Sequence, residues 1–356
     1  MDNRKRILVA PLNWGLGHAT RCIPIIRELM VQNLEPVIAC DGDALALLKK
    51  EFPQLCFIEF PSYKIRYAEK ARYFKLKMLW DSPKIFKAIS AEKKQTEQLV
   101  TSLGISGIIS DNRLGVSCKK VPSVFITHQL NVLTGNTTWF SSKIHQEIIK
   151  KFDQCWVPDV AGIPNLSGRL GHLKKQNPKV KYIGALSRFN YLKNDEIYDL
   201  MVLISGPEPQ RSMLESKLLQ QLAHYPGEVL FVQGKIEARQ KVVQKNNILR
   251  YNYMNTTELE KAFSQSKLVL SRSGYTTVMD LAKLGKAAFF IPTPGQYEQE
   301  YLAKRLEKAN LVPFCEQDKF EPSMLERVAG FRGLSEVGRE LNLSTFLRLF
   351  KGEREL

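Results

Sequence analysis

Arg6–Ala10 (RILVA) is a short apolar run that leads into Gly15-Leu16-Gly17-His18 and then into Cys22–Met30, where Ile23, Ile26 and Leu29 recur at helical spacing. The order is strand, glycine turn, helix. A distant counterpart stands in the other half: Leu268–Leu270, the turn Ser271-Arg272-Ser273-Gly274-Tyr275-Thr276-Thr277, and then Val278–Lys286. Two such turns, one per half, predict a cleft enzyme built from two nucleotide-binding-like domains.

The same rhythm extends outward from both turns. In the first half, Glu35–Cys40 precedes the helical stretch Ala44–Lys49, Gly107–Ser110 precedes a polar turn, and Ser123–Thr127 precedes His128. Past Tyr182-Ile183-Gly184 the chain turns polar and irregular, and Leu200–Ile204 opens a fresh series continued by Glu228–Val232, Lys267–Leu270 and Ala287–Ile291. Strands alternating with helices imply a parallel sheet, so the expected fold is α/β with two Rossmann-like domains, 1–192 and 193–356. Helical spacing through Ser335–Phe350 predicts a C-terminal helix closing the second domain.

At 356 residues, 44% of them hydrophobic, the chain is long enough for two separate cores. Its six cysteines form no CxxC pair and no signal peptide precedes the first strand, which fits a reducing cytoplasm with cysteines as apolar fillers. No apolar stretch approaches the roughly 20 residues of a membrane-spanning helix. The net charge of +16 calls for a polyanionic neighbour: nucleic acid, an anionic lipid surface or a phosphorylated substrate. Zinc-finger spacing, an aromatic RNP run and an arginine-rich tail are all absent from the sequence, so nucleic acid is not the expected partner.

One segment breaks the rhythm. Between Tyr63 and Lys94, Lys64, Arg66, Lys70, Arg72, Lys75, Lys77, Lys84 and Lys87 are interleaved with Tyr67, Tyr73, Phe74, Leu76, Met78, Leu79 and Trp80. Basic residues mixed with aromatics suit peripheral contact with anionic membrane, and a solvated helix pair with its own apolar face accounts for the pattern equally well.

Gly15 and Gly17 let the backbone approach a ligand, and His18 falls where a helix begins, near the positive end of its dipole. That placement favours a neutral imidazole and makes His18 a candidate base; the plainer reading is a structural turn with a capping histidine. Dinucleotide binding is disfavoured because the third glycine of that fingerprint is missing, His18-Ala19-Thr20 following Gly17. In the second turn, Ser273, Gly274, Thr276 and Thr277 bring hydroxyls and N–H groups to a helix start, a cradle for pyrophosphate or simply a cap. Behind it lie Val278–Lys286, a buried strand, Pro292, and a polar helix start holding Gln296, Glu298, Gln299 and Glu300.

On these residues the chain resembles the GT-B glycosyltransferases of family 28, the type that includes the peptidoglycan lipid-intermediate N-acetylglucosaminyltransferase. The resemblance is dense at Gly15–His18 and over Tyr253–Ala303. It implies a UDP-sugar held by the C-terminal domain, possibly UDP-N-acetylglucosamine, and a hydroxyl acceptor, lipid-linked or glycan, offered by the N-terminal one. It implies that Met254 meets uracil through its backbone and Asp280 takes the ribose hydroxyls. Ser273, Gly274, Tyr275, Thr276 and Thr277 would hold the diphosphate with Arg188 near it, and Gln299 and Glu300 would read the sugar. It further implies a peripheral location on the cytoplasmic face of a cell membrane.

Three departures stand out. Glu300 replaces an amide of the family. The Asn-Pro expected before Arg188 is absent. Ser205-Gly206-Pro207-Glu208-Pro209-Gln210-Arg211 replaces a Gly-Gly-Ser loop, losing N–H donors at both prolines and leaving Ser205, Gly206, Gln210 and the charge of Arg211 to meet the donor. On the acceptor side, Ser110-Asp111-Asn112-Arg113 and Thr127-His128-Gln129-Leu130-Asn131 each follow a strand. Asp111 orients His18, acts as base itself, or caps a helix; His128 and Asn131 are acceptor-side candidates, with a core histidine as the alternative for His128. Asp41-Gly42-Asp43 imitates a metal-binding DxD but follows the second strand, away from the donor site. No cofactor is expected, and the leaving diphosphate is assigned to amides, hydroxyls and arginine rather than a metal. Some nucleotide-sugar hydrolases also carry a turn like Gly15-Leu16-Gly17-His18-Ala19-Thr20-Arg21, so a UDP-sugar hydrolase or epimerase is the rival reading.

Overall fold

The computed structural model describes residues 4–63, 74–132, 138–235, 237, 239–337 and 342–352. The chain divides into two compact units. Unit 1 comprises Met1–Ile163, Ser167–Leu186 and Glu340–Leu356; unit 2 comprises Pro164–Leu166 and Ser187–Arg339. The division after Leu186 falls six residues before the expected boundary, and the C-terminal segment returns to unit 1 instead of completing the second domain.

Unit 1 is built on seven parallel strands: β1 (Arg6–Pro11), β2 (Glu35–Cys40), β3 (Cys56–Glu59), β4 (Ile105–Asp111), β5 (Ser123–Ile126), β6 (Gln154–Val157) and β7 (Val180–Tyr182). Their order is β3-β2-β1-β4-β5-β6-β7, so the sheet reverses direction of growth between β1 and β4. Helices α1 (Gly17–Val31), α2 (Gly42–Glu51), α3 (Phe74–Ser102) and α4 (Thr138–Ile149) lie along the chain between the strands. The central strands are buried on both faces, which is why ILVA and GIIS read as continuous apolar runs without alternation.

Unit 2 has six strands, β8 (Tyr198–Leu203), β9 (Val229–Val232), β10 (Val242–Lys245), β11 (Ile248–Tyr251), β12 (Ser266–Ser271) and β13 (Ala287–Phe290), ordered β10-β11-β9-β8-β12-β13. All pairings are parallel except β10 with β11. Helices α5 (Gln210–Gln221), α6 (Thr256–Ser264), α7 (Tyr275–Leu284) and α8 (Tyr297–Lys308) accompany them, and here the reversal lies between β8 and β12. In open α/β sheets ligands bind at the carboxyl edge at such a reversal.

The last helix, α9 (Leu343–Lys351), packs on unit 1. Phe346 and Phe350 stand edge-on to the buried Trp156 with ring centroids 6.0 and 6.2 Å away. Lys5 donates through Nζ to the carbonyls of Phe350 and Lys351 at 3.2 and 2.9 Å, satisfying helix-end acceptors with a cation where the dipole favours one. Gly107 admits this contact, since a Cβ there would lie 2.2 Å from Cδ1 of Phe350. The predicted helix exists, but its apolar face matches the first sheet rather than the second.

Of the segment Tyr63–Lys94, residues 64–73 and the side chains of 74–86 lie outside the described residues; α3 covers its remainder. Among the described residues, no helix is long and apolar enough to cross a membrane. No cysteine is in a disulfide, and Cys56 is exposed while the other five are buried, so it alone departs from the expected filler role.

Candidate active site

Part of the candidate set lies at the reversal point of each sheet: the glycine turn and Asp111 in unit 1, and Ser205, Gly206 and the turn into α7 in unit 2. In unit 1, Gly15 takes a φ of +74°, which lets the chain turn sharply from β1 into α1. Leu16 caps α1 with its carbonyl, accepting from Thr20 N–H at 2.9 Å, and no side chain caps the helix. His18 is therefore not a capping residue. It stands in the first turn of α1, facing Asp111, the last residue of β4.

His18 Nδ1 lies 2.8 Å from Oδ1 of Asp111 and 2.9 Å from Nη2 of Arg21, one helical turn further along α1. Arg21, 2% exposed, also grips both oxygens of Asp111 and donates from Nη1 to Nδ1 of His128 at 3.0 Å. Burial pushes the Asp111 carboxyl up, but Arg21 and His18 outweigh it and hold it well below the usual carboxylate range. The His18 pKa is lowered, chiefly by burial; Asp111 pulls it up, and Arg21 and His128 push it down. An ionised Asp111 accepting Nδ1–H leaves the lone pair on Nε2 of a neutral imidazole, the arrangement of a general base with its orienting carboxylate.

His128 follows β5 and joins this cluster through Arg21. Asn131 does not. Its Nδ2 donates to the carbonyls of Arg169 and His172 at 2.6 and 3.2 Å, so its amide is committed to holding a loop. Asp41 accepts from the fully buried Arg113 at 2.8 Å, which accounts for the DxD-like stretch as structure. Arg113 also donates to Glu92 on α3 at 2.7 Å and to the carbonyl of Pro61 at 2.6 Å, tying the loop after β4 to α3 and to the loops after β2 and β3.

In unit 2, α7 begins at Tyr275 with Gly274 as its N-cap, no side-chain cap, and nothing within 4 Å of where a Cβ on Gly274 would sit. Tyr275, Thr276 and Thr277 thus form a first turn whose N-cap residue supplies no side-chain cap, a helix start of the kind that suits an anion. Ser273 differs from expectation: its buried hydroxyl donates to the carbonyl of Gln299 at 2.8 Å and braces α7 against α8. Arg211 differs too. Its guanidinium donates to Glu208 and Glu215 at 2.7 Å each and to the Gln233 carbonyl at 3.1 Å, so its charge is neutralised internally and is not on offer to a diphosphate.

Asp280 is buried in α7 beside Ser187, and its pKa is raised to about 7; burial is the dominant cause, opposed by the Ser187 hydrogen bond and by Arg188. Arg188 itself donates to Thr256 Oγ1 at 3.1 Å, at the start of α6. Met254 directly precedes Asn255, whose capping box with Glu258 fixes the backbone there. Ser205 and Gly206 lie exposed after β8, Gly206 with a φ of +111°. Gln299 accepts from Thr293 N–H and Glu300 from Gly295 N–H, both at 2.8 Å, so both side chains fold onto the turn before α8.

Two arginines were given no role in the site from sequence. Arg21 carried a readable signal, being three residues after His18 and hence on the same helix face. Arg272 did not: it is 1% exposed and bonded only to neutral oxygens, the carbonyls of Ile291, Pro292 and Gln210 and the side chain of Gln317, with burial bringing its pKa down to about 10.

Residues 209–329 match the glycosyltransferase family 28 C-terminal domain. The chain is 26% identical over 267 residues to the UDP-N-acetylglucosamine--N-acetylmuramyl-(pentapeptide) pyrophosphoryl-undecaprenol N-acetylglucosamine transferase of Haemophilus influenzae (strain PittEE), covering 70% of each chain. It is 24% identical over 344 residues to the enzyme of the same name from Pasteurella multocida (strain Pm70), covering 92% of this chain and 88% of that one. Among solved structures, the glycotransferase of kitacinnamycin superposes with a TM-score of 0.65 at 12% identity, over 99% of this chain and 96% of that one. Acinetobacter baumannii MurG gives 0.54 at 14% identity, over 92% and 90%. These superpositions carry the fold: two Rossmann-like units of the GT-B type.

Proposed function

Since the chain is a GT-B glycosyltransferase of family 28 that uses a UDP-sugar, we propose that it transfers the sugar to a hydroxyl of a lipid-linked acceptor, with His18 as general base. The observation that supports this most is the buried His18–Asp111 contact at the reversal point of the first sheet.

His18 Nε2 takes the proton of the acceptor hydroxyl as its oxygen attacks the anomeric carbon. The bond from that carbon to the β-phosphate oxygen breaks, and UDP leaves with the negative charge. Asp111, kept ionised by Arg21, steadies the imidazolium while it exists. In unit 2 the first turn of α7 faces the growing charge with N–H groups and the positive end of the helix. Asp280 accepts from the ribose hydroxyls, Met254 meets the base through its backbone, and Arg188 sits beside the phosphates. Acceptor identity follows the curated relatives, whose names specify an undecaprenol-linked acceptor and N-acetylglucosamine transfer. An acceptor of that kind places the enzyme at the cytoplasmic face of a membrane, with Tyr63–Lys94 as the contacting segment.

The test is UDP release from UDP-N-acetylglucosamine with and without a bacterial lipid extract. Release that requires lipid supports transfer. Equal release without lipid assigns water as the acceptor and makes the protein a hydrolase.

A further inference from the structure

We infer that the amino edge of the first sheet is a docking surface for an acidic segment of a protein partner, built by lysines in the turns that enter β5, β6 and β7. The surface lies away from the residues proposed for sugar transfer and does not depend on which of them acts as base.

All strands of unit 1 run parallel, so their entry turns share one edge, and His18, Asp111 and His128 follow strands at the other. β5, β6 and β7 are neighbours in the sheet. Lys119 and Lys120 form the turn before β5, Lys150 and Lys151 follow α4 and precede β6, and Lys179 stands directly before β7. Neighbouring strands are about 4.8 Å apart, so the three turns make one strip. Hydrogen bonds hold it in shape. Ser123 N–H donates to Asp153 Oδ2 at 2.8 Å and Asp153 N–H to the Ser123 carbonyl at 2.9 Å, joining the turns before β5 and β6. Lys179 Nζ donates to the carbonyls of Lys150 and Phe152 at 3.0 and 2.8 Å, joining those before β6 and β7.

Lys179 thus serves the strip internally, placing a cation at the end of α4 where the dipole favours one. The other four lysines have no such use. Lys119, Lys120, Lys150 and Lys151 are exposed, and Lys174 and Lys175, exposed in the crossover that leads into β7, extend the charge. Among the described residues, only Lys150 of these has a carboxylate partner, Glu147 at 2.6 Å. The other nearby carboxylate, Asp153, is taken up by Ser123 N–H. Unit 1 also carries most of the chain's net charge of +16.

The chemistry of the strip selects the partner. It offers lysine alone, without the planar fork with which arginine grips phosphate and without an exposed aromatic ring on which a base would stack. Among the described residues, the large apolar side chains exposed in unit 1 are Met30, Val31 and Ile163, none of them in these turns, so the strip has no apolar anchor for lipid either. Tyr63, where the segment proposed to meet membrane begins, bonds to Glu92 and to Leu114 N–H in the loop after β4, at the opposite edge. Carboxylates of a protein segment need only complementary charge on a preformed surface, and that is what the strip supplies.

Fluorescence anisotropy of labelled poly-L-glutamate with the whole protein, at about 0.15 M salt, tests this. One variant reverses the strip (Lys119→Glu, Lys120→Glu and Lys151→Glu together), and a second reverses three exposed lysines of unit 2 (Lys245→Glu, Lys261→Glu and Lys308→Glu together). The strip variant is expected to bind poly-L-glutamate at least about tenfold more weakly than wild type and the unit 2 variant less than about threefold, with UDP affinity and melting temperature near wild type in both. Should charge reversal unfold the protein, glutamine at the same three strip positions carries the test, with a loss of several-fold expected. An equal loss in both variants overturns the inference, since net charge and not its place would then govern binding. Wild-type affinity in the strip variant overturns it as well. So does a strip variant that loses more affinity for an oligothymidylate, or for phosphatidylserine vesicles, than for poly-L-glutamate, which would make the surface one for nucleic acid or lipid.

Discussion

His18 and Asp111 meet across the reversal point of the first sheet, Nδ1 to Oδ1 at 2.8 Å, one from the start of α1 and the other from the end of β4. Neither element alone brings the two groups together; the pairing of β1 with β4 does. Removing the imidazole with His18→Ala is expected to lower kcat by about 10²–10⁴ while leaving the affinity for UDP nearly unchanged. Asp111→Asn should lower kcat as well, because an amide oxygen stabilises the imidazolium less. Steady-state UDP release with lipid acceptor measures both.

The lowered pKa of His18 sets a pH dependence. In the proposed role of base His18 acts neutral, so kcat/KM should fall only on the acid side, with a midpoint below the ordinary imidazole value. Stability follows the same direction. The unfolded chain binds a proton at this site more readily, so the contribution of His18 to stability is full above the unfolded value near 6.5 and declines as pH falls below it. His18→Gln should flatten that limb in urea unfolding followed between pH 5 and pH 7, and an unchanged slope would assign it to another group.

Asp280 behaves in the opposite sense. Its pKa of about 7 lies above the unfolded carboxylate value, so it destabilises the free protein progressively as pH rises from about 4 through 7. In the proposed contact with the ribose hydroxyls an ionised carboxylate is the stronger acceptor, so UDP affinity should increase as pH rises through about 7. Asp280→Asn is expected to raise the melting temperature at pH 8 and to abolish the pH dependence of UDP binding. Calorimetry at pH 6 and pH 8 checks both.

Arg272 is a buried cation with no carboxylate among its partners. Its guanidinium ties the turn before α7 to the loop before α8 and to Gln210. Arg272→Met should therefore destabilise unit 2 by about 1–3 kcal/mol, because it leaves buried carbonyls without a donor. An unchanged urea midpoint would mean that the loss of a costly buried charge offsets those bonds.

Gly107 and Phe350 form the contact that seats α9 on unit 1. Adding a side chain at 107 forces Phe350 out, and overpacking of this kind costs about 1–3 kcal/mol. Gly107→Val should lower the urea midpoint of unit 1 and expose α9 to protease. Gly107→Val at wild-type stability would mean that α9 docks by other contacts.

The sheet centres were legible because β1, β2, β4, β8, β12 and β13 are apolar runs bounded by turns. The edges were not: β7 has three residues and β10 is exposed along its whole length, so neither carries a burial period to read. His18, Asp111 and the α7 turn followed from position after a strand. What escaped was which polar groups are already taken. Ser273 and Arg211 looked available to a ligand, yet one donates to a carbonyl and the other is held by two carboxylates. Partners distant in sequence, such as Gln299 for Ser273, exist only once the sheet is assembled.

The most direct test of the account is transfer of labelled sugar from UDP-N-acetylglucosamine into the lipid fraction, comparing wild type with His18→Ala at saturating donor and with UDP affinity measured on the same preparations. The account predicts label in lipid for wild type and a loss of at least about a hundredfold in the mutant, with UDP binding intact. Label moving at the wild-type rate in His18→Ala, or appearing only as free sugar, would contradict it.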